Sequence, residues 1–365
     1  MVTYDDEDRG YEYHLGSSTS NIFVENDNGS QVYLLWLRNP FVDSSHFHFP
    51  LLYTRFTLCS SSQGLISCRD SLSNYYIGNP FAQGQNAYIL LPPPPRTHHS
   101  YHTSVVLATE FVEDAAPLAF HLICAVRVMA KTYIFDTYSS LDGRWFSNLW
   151  VLRSEIYANT GVSCGGTAYW VCEQRGVSCG VVGFDAVSKK IRNLELPYPY
   201  QIFAESMSEP QLGRVGNRLG LVVVRQRPSP GVELHVHGEN GWEHYTSLGV
   251  DICAADTARM GWVAHNNIAP RTSTVGGLHR PAGRIVCREL PRPLRFESFK
   301  MEVLLWVDGW LAVWVNSSDD PRRDRVHMAR ILEVGSRMPS RFVDAIPHVR
   351  SSWLPGHFLN LQVLQ

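Results

Sequence analysis

From Ile22 onward the chain alternates short apolar runs with polar breaks, and the runs have the length and residue types of strands. The segments NIFVEN, QVYLLWL, GLISCRD, YYIGN, HTSVVLATEF, FHLICAVRV and TYIFDTY lie in the first half. TAYWVCE, GVVGFD, LGLVVVRQ, VELHVHG, RIVCREL, MEVLLWV and WLAVWVN follow. Gly, Pro, Ser and Asn fill the connections, as turns require. The stretch GFDAVSKKIRNLELP reads as a hairpin: an apolar strand to Asp185, a polar turn, then alternation from Ile191 that stops at Pro197.

The hairpin recurs. Asn79, Asp136, Asp185 and His237 each close an apolar strand that a turn then follows, at steps of 57, 49 and 52 residues. A period near fifty with one hairpin per unit is the mark of kelch-like propeller blades. The pattern therefore predicts an all-β fold, a kelch-like β-propeller of about six blades, with an N-terminal strand closing the ring so that sheet edges are not left exposed. Residues 1–20 read as a polar, flexible N-terminus and 21–365 as a single propeller.

MEVLLWVDGWLAVWV carries the sharpest local signal. Asp308-Gly309 reaches positive φ with little strain and suits a two-residue hairpin turn. It pairs Val307 with Trp310, Leu305 with Ala312 and Val303 with Trp314, with apolar residues on both faces, the environment of a strand between stacked blades. The best helix candidate is PRRDRVHMARILEV, with Asp319-Asp320 to cap it and Pro321 in a first turn. It reads equally as a loop followed by a strand.

Composition narrows the classes. Hydrophobic residues make up 44% of the 365, enough for a packed core, and the net charge of −2 gives no general attraction to nucleic acid or acidic membrane. No apolar run reaches the ~18 residues of a membrane span. The opening MVTYDDEDRG is acidic, unlike a secretory leader. On that reading the chain is cytoplasmic, nuclear or both, its eight cysteines are reduced and mostly buried, and the sequons at Asn28 and Asn316 are idle.

Against this frame, one set of residues resembles a known family. Cys59, Gln63-Gly64-Leu65, Asn79-Pro80 and Leu91-Pro92-Pro93 look like the opening of the F-box-associated region of plant F-box proteins. Tyr138-Ser139-Ser140 with Trp145, Gly166-Thr167-Ala168-Tyr169-Trp170, Phe184-Asp185 and Leu196-Pro197 continue in that family's order. Leu212-Gly213 and Leu219-Gly220-Leu221-Val222 extend it, and the resemblance is clearest over 55–315. It implies a propeller that recognises a protein substrate for an SCF-type ubiquitin ligase, through an F-box that holds the Skp adaptor. The first fifty residues read as strand and loop rather than as F-box helices. A Skp-type adaptor is then a partner only if an F-box is supplied elsewhere. The alternatives are a carbohydrate-binding or catalytic kelch-like propeller, or a truncated or decoy relative without a ligase role.

Candidate chemistry is sparse. RTHHSYH (96–102) is the densest histidine group, but no second cluster offers further ligands for a tetrahedral zinc, so a polar loop is the plainer reading. Arg280, Arg284, Arg288 and Arg292 recur every fourth residue, yet Pro281, Gly283 and Pro291 exclude the helix that would align them. They read as a solvated region, with a patch for an acidic partner as the alternative. Cys164, Cys172 and Cys179 flank the Tyr169-Trp170 strand without a nucleophile elbow or phosphate loop. No catalytic, metal or cofactor residue is assigned, and no partner-binding residue is named. The chain is expected to be a non-enzymatic module for a protein substrate, without nucleic acid or membrane as a partner.

Overall fold

A computed structural model describes residues 21–25, 32–36, 56–79, 88–98, 103–111, 117–157, 160–174, 177–197, 210–225, 230–252, 283–287, 292–293, 296–298, 302–307, 310–315, 325–329 and 345–348. Of the strands before 56 and after 252, only the course and register are described. Residues 1–20, both sequons, His99, His102, Arg280 and Arg288 lie outside the described residues. Among the described residues every regular element is a strand.

In chain order, β1 (Asn21–Glu25) and β2 (Val32–Trp36) form a hairpin. The first complete sheet is β3 (Phe56–Ser62), β4 (Leu65–Asp70), β5 (Tyr75–Gly78) and β6 (Tyr88–Leu90). The second is β7 (Thr103–Phe111), β8 (Pro117–Met129), β9 (Thr132–Ser139) and β10 (Arg144–Val151). The third holds β11 (Glu155–Ile156), β12 (Val162–Cys164), β13 (Thr167–Gln174), β14 (Val177–Asp185) and β15 (Ile191–Leu194). The fourth begins with β16 (Gln211–Val215), β17 (Arg218–Arg225), β18 (Gly231–Gly238) and β19 (Gly241–Ile252). It gains β20 (Gly283–Cys287), parallel to the end of β19. The last full sheet joins β21 (Arg292–Pro293), β23 (Glu302–Val307), β24 (Trp310–Val315) and β25 (Arg325–Ala329). Between them β22 (Phe296–Ser298) pairs in parallel with β16. Finally β26 (Ala345–His348) returns to pair with β1.

Apart from the parallel β20 and β22 the sheets are antiparallel, and contacts between them run in a cycle. β3 lies against β7, β7 against β12, β12 against β16, β22 against β26, and β26 against β3. This arrangement explains the largely apolar text of β8, broken only by His121 and Arg127. Phe120, Leu122, Cys124 and Val126 point to the first sheet and pack with Tyr75, Ile77 and Leu65. Ile123 and Ala125 point the other way, to Trp170 and Phe184 of the third sheet. A strand apolar on both faces is buried on both faces. Phe135 and Phe184 stack across the gap at 4.5 Å between ring centroids, and such a pair adds roughly 0.5–1.5 kcal/mol beyond its buried area.

The repeat marks fall in equivalent places. Asp136, Asp185 and His237 lie on the third strands of their four-stranded units and Asn79 directly follows one, β5. The register of the 302–315 hairpin is the one its Asp-Gly implies: Val307↔Trp310, Leu305↔Ala312 and Val303↔Trp314. Its side chains lie outside the described residues. The helix candidate at 321–334 is corrected at its described part, because Arg325–Ala329 pairs with β24 as strand β25. Edge pairing with an apolar neighbour outweighs capping signals whose helix would stand alone.

Candidate functional site

Asp185 explains the hairpin that follows it. Its Oδ1 accepts the amides of Val187 at 3.0 Å and Ser188 at 2.8 Å, closing an Asx-type turn. Lys189 then takes a left-handed φ of 57° so that Phe184 pairs with Ile191. Two glycines on third strands have a shared role. Tyr88 faces Gly78 across the ladder, and Tyr169 faces Gly183. Each tyrosine ring lies where a Cβ would be. Only glycine leaves that space, and the ring in turn shields the bare backbone.

Asp136 sits at the centre of a buried polar group. Its side chain is fully buried; Oδ2 accepts from Arg96 Nε at 3.1 Å and contacts His98 Nε2 at 2.9 Å. Ser147 Oγ donates to Oδ1 at 2.6 Å. His98 Nδ1 meets the Tyr75 hydroxyl at 2.9 Å, and its carbonyl accepts from Arg69 Nη1 and Ser73 Oγ. Residues 96–98 lie in a connection, as the polar-loop reading expects, but His98 is 2% exposed and ties the first sheet to the second. The reason is a carboxylate supplied by another strand, 38 residues away in sequence.

This arrangement has the look of a relay but not its chemistry. A Ser-His-Asp triad needs the serine on the histidine; here Ser147 is bonded to the aspartate instead. Burial pushes the Tyr75 hydroxyl well above its ordinary range. Burial also raises the Cys124 thiol, which stays protonated beside it. The group supplies hydrogen bonds and no activated nucleophile. Cys164 and Cys172 are likewise buried and unbridged. Gly165 and Gly166, with φ of 56° and 74°, make the hairpin between β12 and β13. Among the described residues no group of three His, Cys, Asp or Glu side chains converges on a metal position.

Three features had no forecast in the sequence. At the leading strands, Ser62 Oγ lies 2.9 Å from Thr109 Oγ1 and 3.2 Å from Ser163 Oγ, a buried hydroxyl contact spanning three sheets. On the fourth sheet, Glu233 is held by Arg225 at 2.8 Å and faces His235 at 3.3 Å. Around the outer strand β10, Leu149 and Val151 are 65% and 75% exposed. Burial is set by partners 47 and 101 residues apart for the hydroxyls, so no local period could mark them. Arg284 and Arg292 fall in different strands, β20 and β21, so the fourfold spacing builds no single stripe.

Residues 43–207 match the family model described as F-box protein At3g26010-like, beta-propeller. The residues from Cys59 to Pro197 on which the resemblance was read lie inside that matched stretch. No curated protein matches the chain. Among solved structures, the SapL1 lectin in complex with alpha methyl fucoside is 10% identical with a TM-score of 0.39, covering 87% of this chain and 97% of its own. The subtype N11 neuraminidase-like protein of A/flat-faced bat/Peru/033/2010 is 8% identical with a TM-score of 0.38, covering 89% and 90%. The fission yeast SREBP-SCAP binding domains are 9% identical with a TM-score of 0.34, covering 92% and 98%.

Proposed function

We propose that the chain, a β-propeller of the F-box-associated kind over its matched residues, recognises a protein substrate for an SCF-type ubiquitin ligase and carries out no chemistry of its own. The observation that carries this reading is the family match over 43–207. The buried, hydrogen-bonded state of the polar groups around Asp136 is in keeping with it, since they serve packing. Six blades are the count we favour, one for each of the six sheets, whose contacts through β3, β7, β12, β16, β22 and β26 run in a cycle. The N-terminal segment contributes strands β1 and β2 to the last blade. Adaptor binding is then expected only where a helical F-box is supplied in trans or by additional chain.

The test is affinity purification of the 365-residue chain from tissue, read by mass spectrometry, beside a pull-down with purified Skp adaptor. A reproducible protein partner that is ubiquitinated less when the chain is depleted supports the reading. A glycan-array ligand without a protein partner overturns it. Stoichiometric capture of the adaptor by this chain alone would overturn the requirement for a separate F-box.

A further inference from the structure

Strand β10 is the outer strand of the second sheet, and no described strand pairs with its free edge. It runs for eight residues, whereas the outer strands β6 and β15 have three and four. A long free edge offers a row of backbone donors and acceptors to another strand. Two sheets further on, the corresponding strand β19 already carries such an addition, since β20 pairs with it in parallel from Leu248 to Ile252.

The side chains of β10 specify what such a strand would carry. Arg144 Cζ lies 4.8 Å and Lys189 Nζ 4.1 Å from the centroid of the Phe146 ring. Two cations are thereby drawn to one aromatic ring. Neither forms an ion pair with a carboxylate among the described residues. The neighbouring Asp185 is engaged by the Val187 and Ser188 amides and by Arg192. Lys189 reaches the ring from the left-handed position that closes the turn between β14 and β15. At the other end of the strand Leu149 and Val151 are exposed on the opposite face.

The geometry points to the free edge of β10 as a docking strand for an extended acidic segment of the protein partner. The segment adds to the sheet by main-chain hydrogen bonds. It sets carboxylate or phosphorylated side chains over Arg144 and Lys189, and aliphatic side chains on Leu149 and Val151. This rests on the recognition reading and names the site for it. Charge complementarity at the cationic end fixes the register, and main-chain pairing gives the affinity.

The experiment uses the full chain and a fluorescein-labelled ten-residue peptide of alternating Thr and Val with two Glu at one end, with a Lys-for-Glu peptide as control. Anisotropy titrations compare the parent, Arg144→Glu/Lys189→Glu and Leu149→Lys. Amide hydrogen exchange follows residues 144–151. Expected are binding of the acidic peptide, weakening by about tenfold or more in the double variant and by added salt, and slower exchange in β10. Equal binding by the Lys peptide, an unchanged double variant, or slowing confined to other strands would overturn the assignment. Unchanged circular dichroism of the variants establishes that the fold is kept. If the parent captures a partner in the purification and the double variant captures as much, the site fails and the recognition reading stands. If the parent captures none, the recognition reading fails, and the peptide titration still decides whether β10 accepts a strand.

Discussion

Replacing Asp136 by Ala tests whether the polar group between the first two sheets holds them together. The carboxylate has contacts with His98 at 2.9 Å, Arg96 at 3.1 Å and Ser147 at 2.6 Å. The Arg96 side chain is 31% exposed and recovers water on truncation, so its share stays within about 1 kcal/mol. His98 has no such escape, because its side chain is fully buried, and an orphaned buried group costs about 1–3 kcal/mol. With the cavity and the lost Ser147 bond the total comes to roughly 3–5 kcal/mol. At about 2.1 cal/mol/K per residue, the 365 residues give an unfolding entropy near 0.77 kcal/mol/K. The expected fall in Tm is therefore about 4–6 °C by scanning calorimetry. Asp136→Asn keeps the shape and an acceptor and should lose less. Asp136→Ala combined with His98→Leu should be less than additive, with a coupling of about 0.5–3 kcal/mol. A fall of less than about 1 °C, or strict additivity, would refute the claim that this group is a joint between sheets.

Gly161→Ala places a Cβ 2.5 Å from Val106 Cγ2 and 2.7 Å from Trp170 Nε1, and overpacking there should cost about 1–3 kcal/mol and shift the tryptophan emission; an unchanged melting curve refutes it. Burial alone would raise Asp70, but hydrogen bonds from the Asn74 side chain and from the Asn74, Leu72 and Tyr76 donors hold it below its ordinary value. A lowered carboxylate gives stability that is present above its unfolded value of about 3.9 and is lost as pH falls through the folded one. Below about pH 4 the parent should lose stability more steeply than Asp70→Asn, and parallel acid profiles would count against this. Far-UV circular dichroism should be dominated by strand; a helical content above about a third would overturn the all-β reading.

The legible parts of the fold were those governed by neighbours in sequence. Asp308-Gly309 set a register because a two-residue turn leaves the flanking strands one pairing. Phe120–Val126 is buried on both faces, whereas the apolar pattern was read as two-faced only at 302–315, where the Asp-Gly turn fixes which residues share a face. The third-strand marks recurred because each unit repeats one local shape, although they proved to have different jobs: Asp185 closes a turn, while Asp136 bridges two sheets. The joint at His98 stayed hidden for a physical reason. A histidine in a proline-rich connection carries no pattern, and its burial comes from Tyr75 and Asp136 on separate sheets. The edge of β10 was hidden for the opposite reason, since exposure of Leu149 and Val151 depends on where the adjacent sheet stops.

The pairing of β1 with β26 has a consequence for how the molecule is made. Asn21 meets His348 across that ladder, so the partners are 327 positions apart in the chain (348 − 21). At a ribosomal rate of about 5–20 residues per second, β1 waits roughly 15–65 s before the segment it pairs with has been synthesised. Each intervening sheet can pack on its predecessor as it emerges, but the sheet that holds β1 cannot be completed until residue 348 has been synthesised. During that interval β1 presents the unsatisfied edge of a growing chain, which gives chaperones a defined window and a premature stop codon a defined penalty.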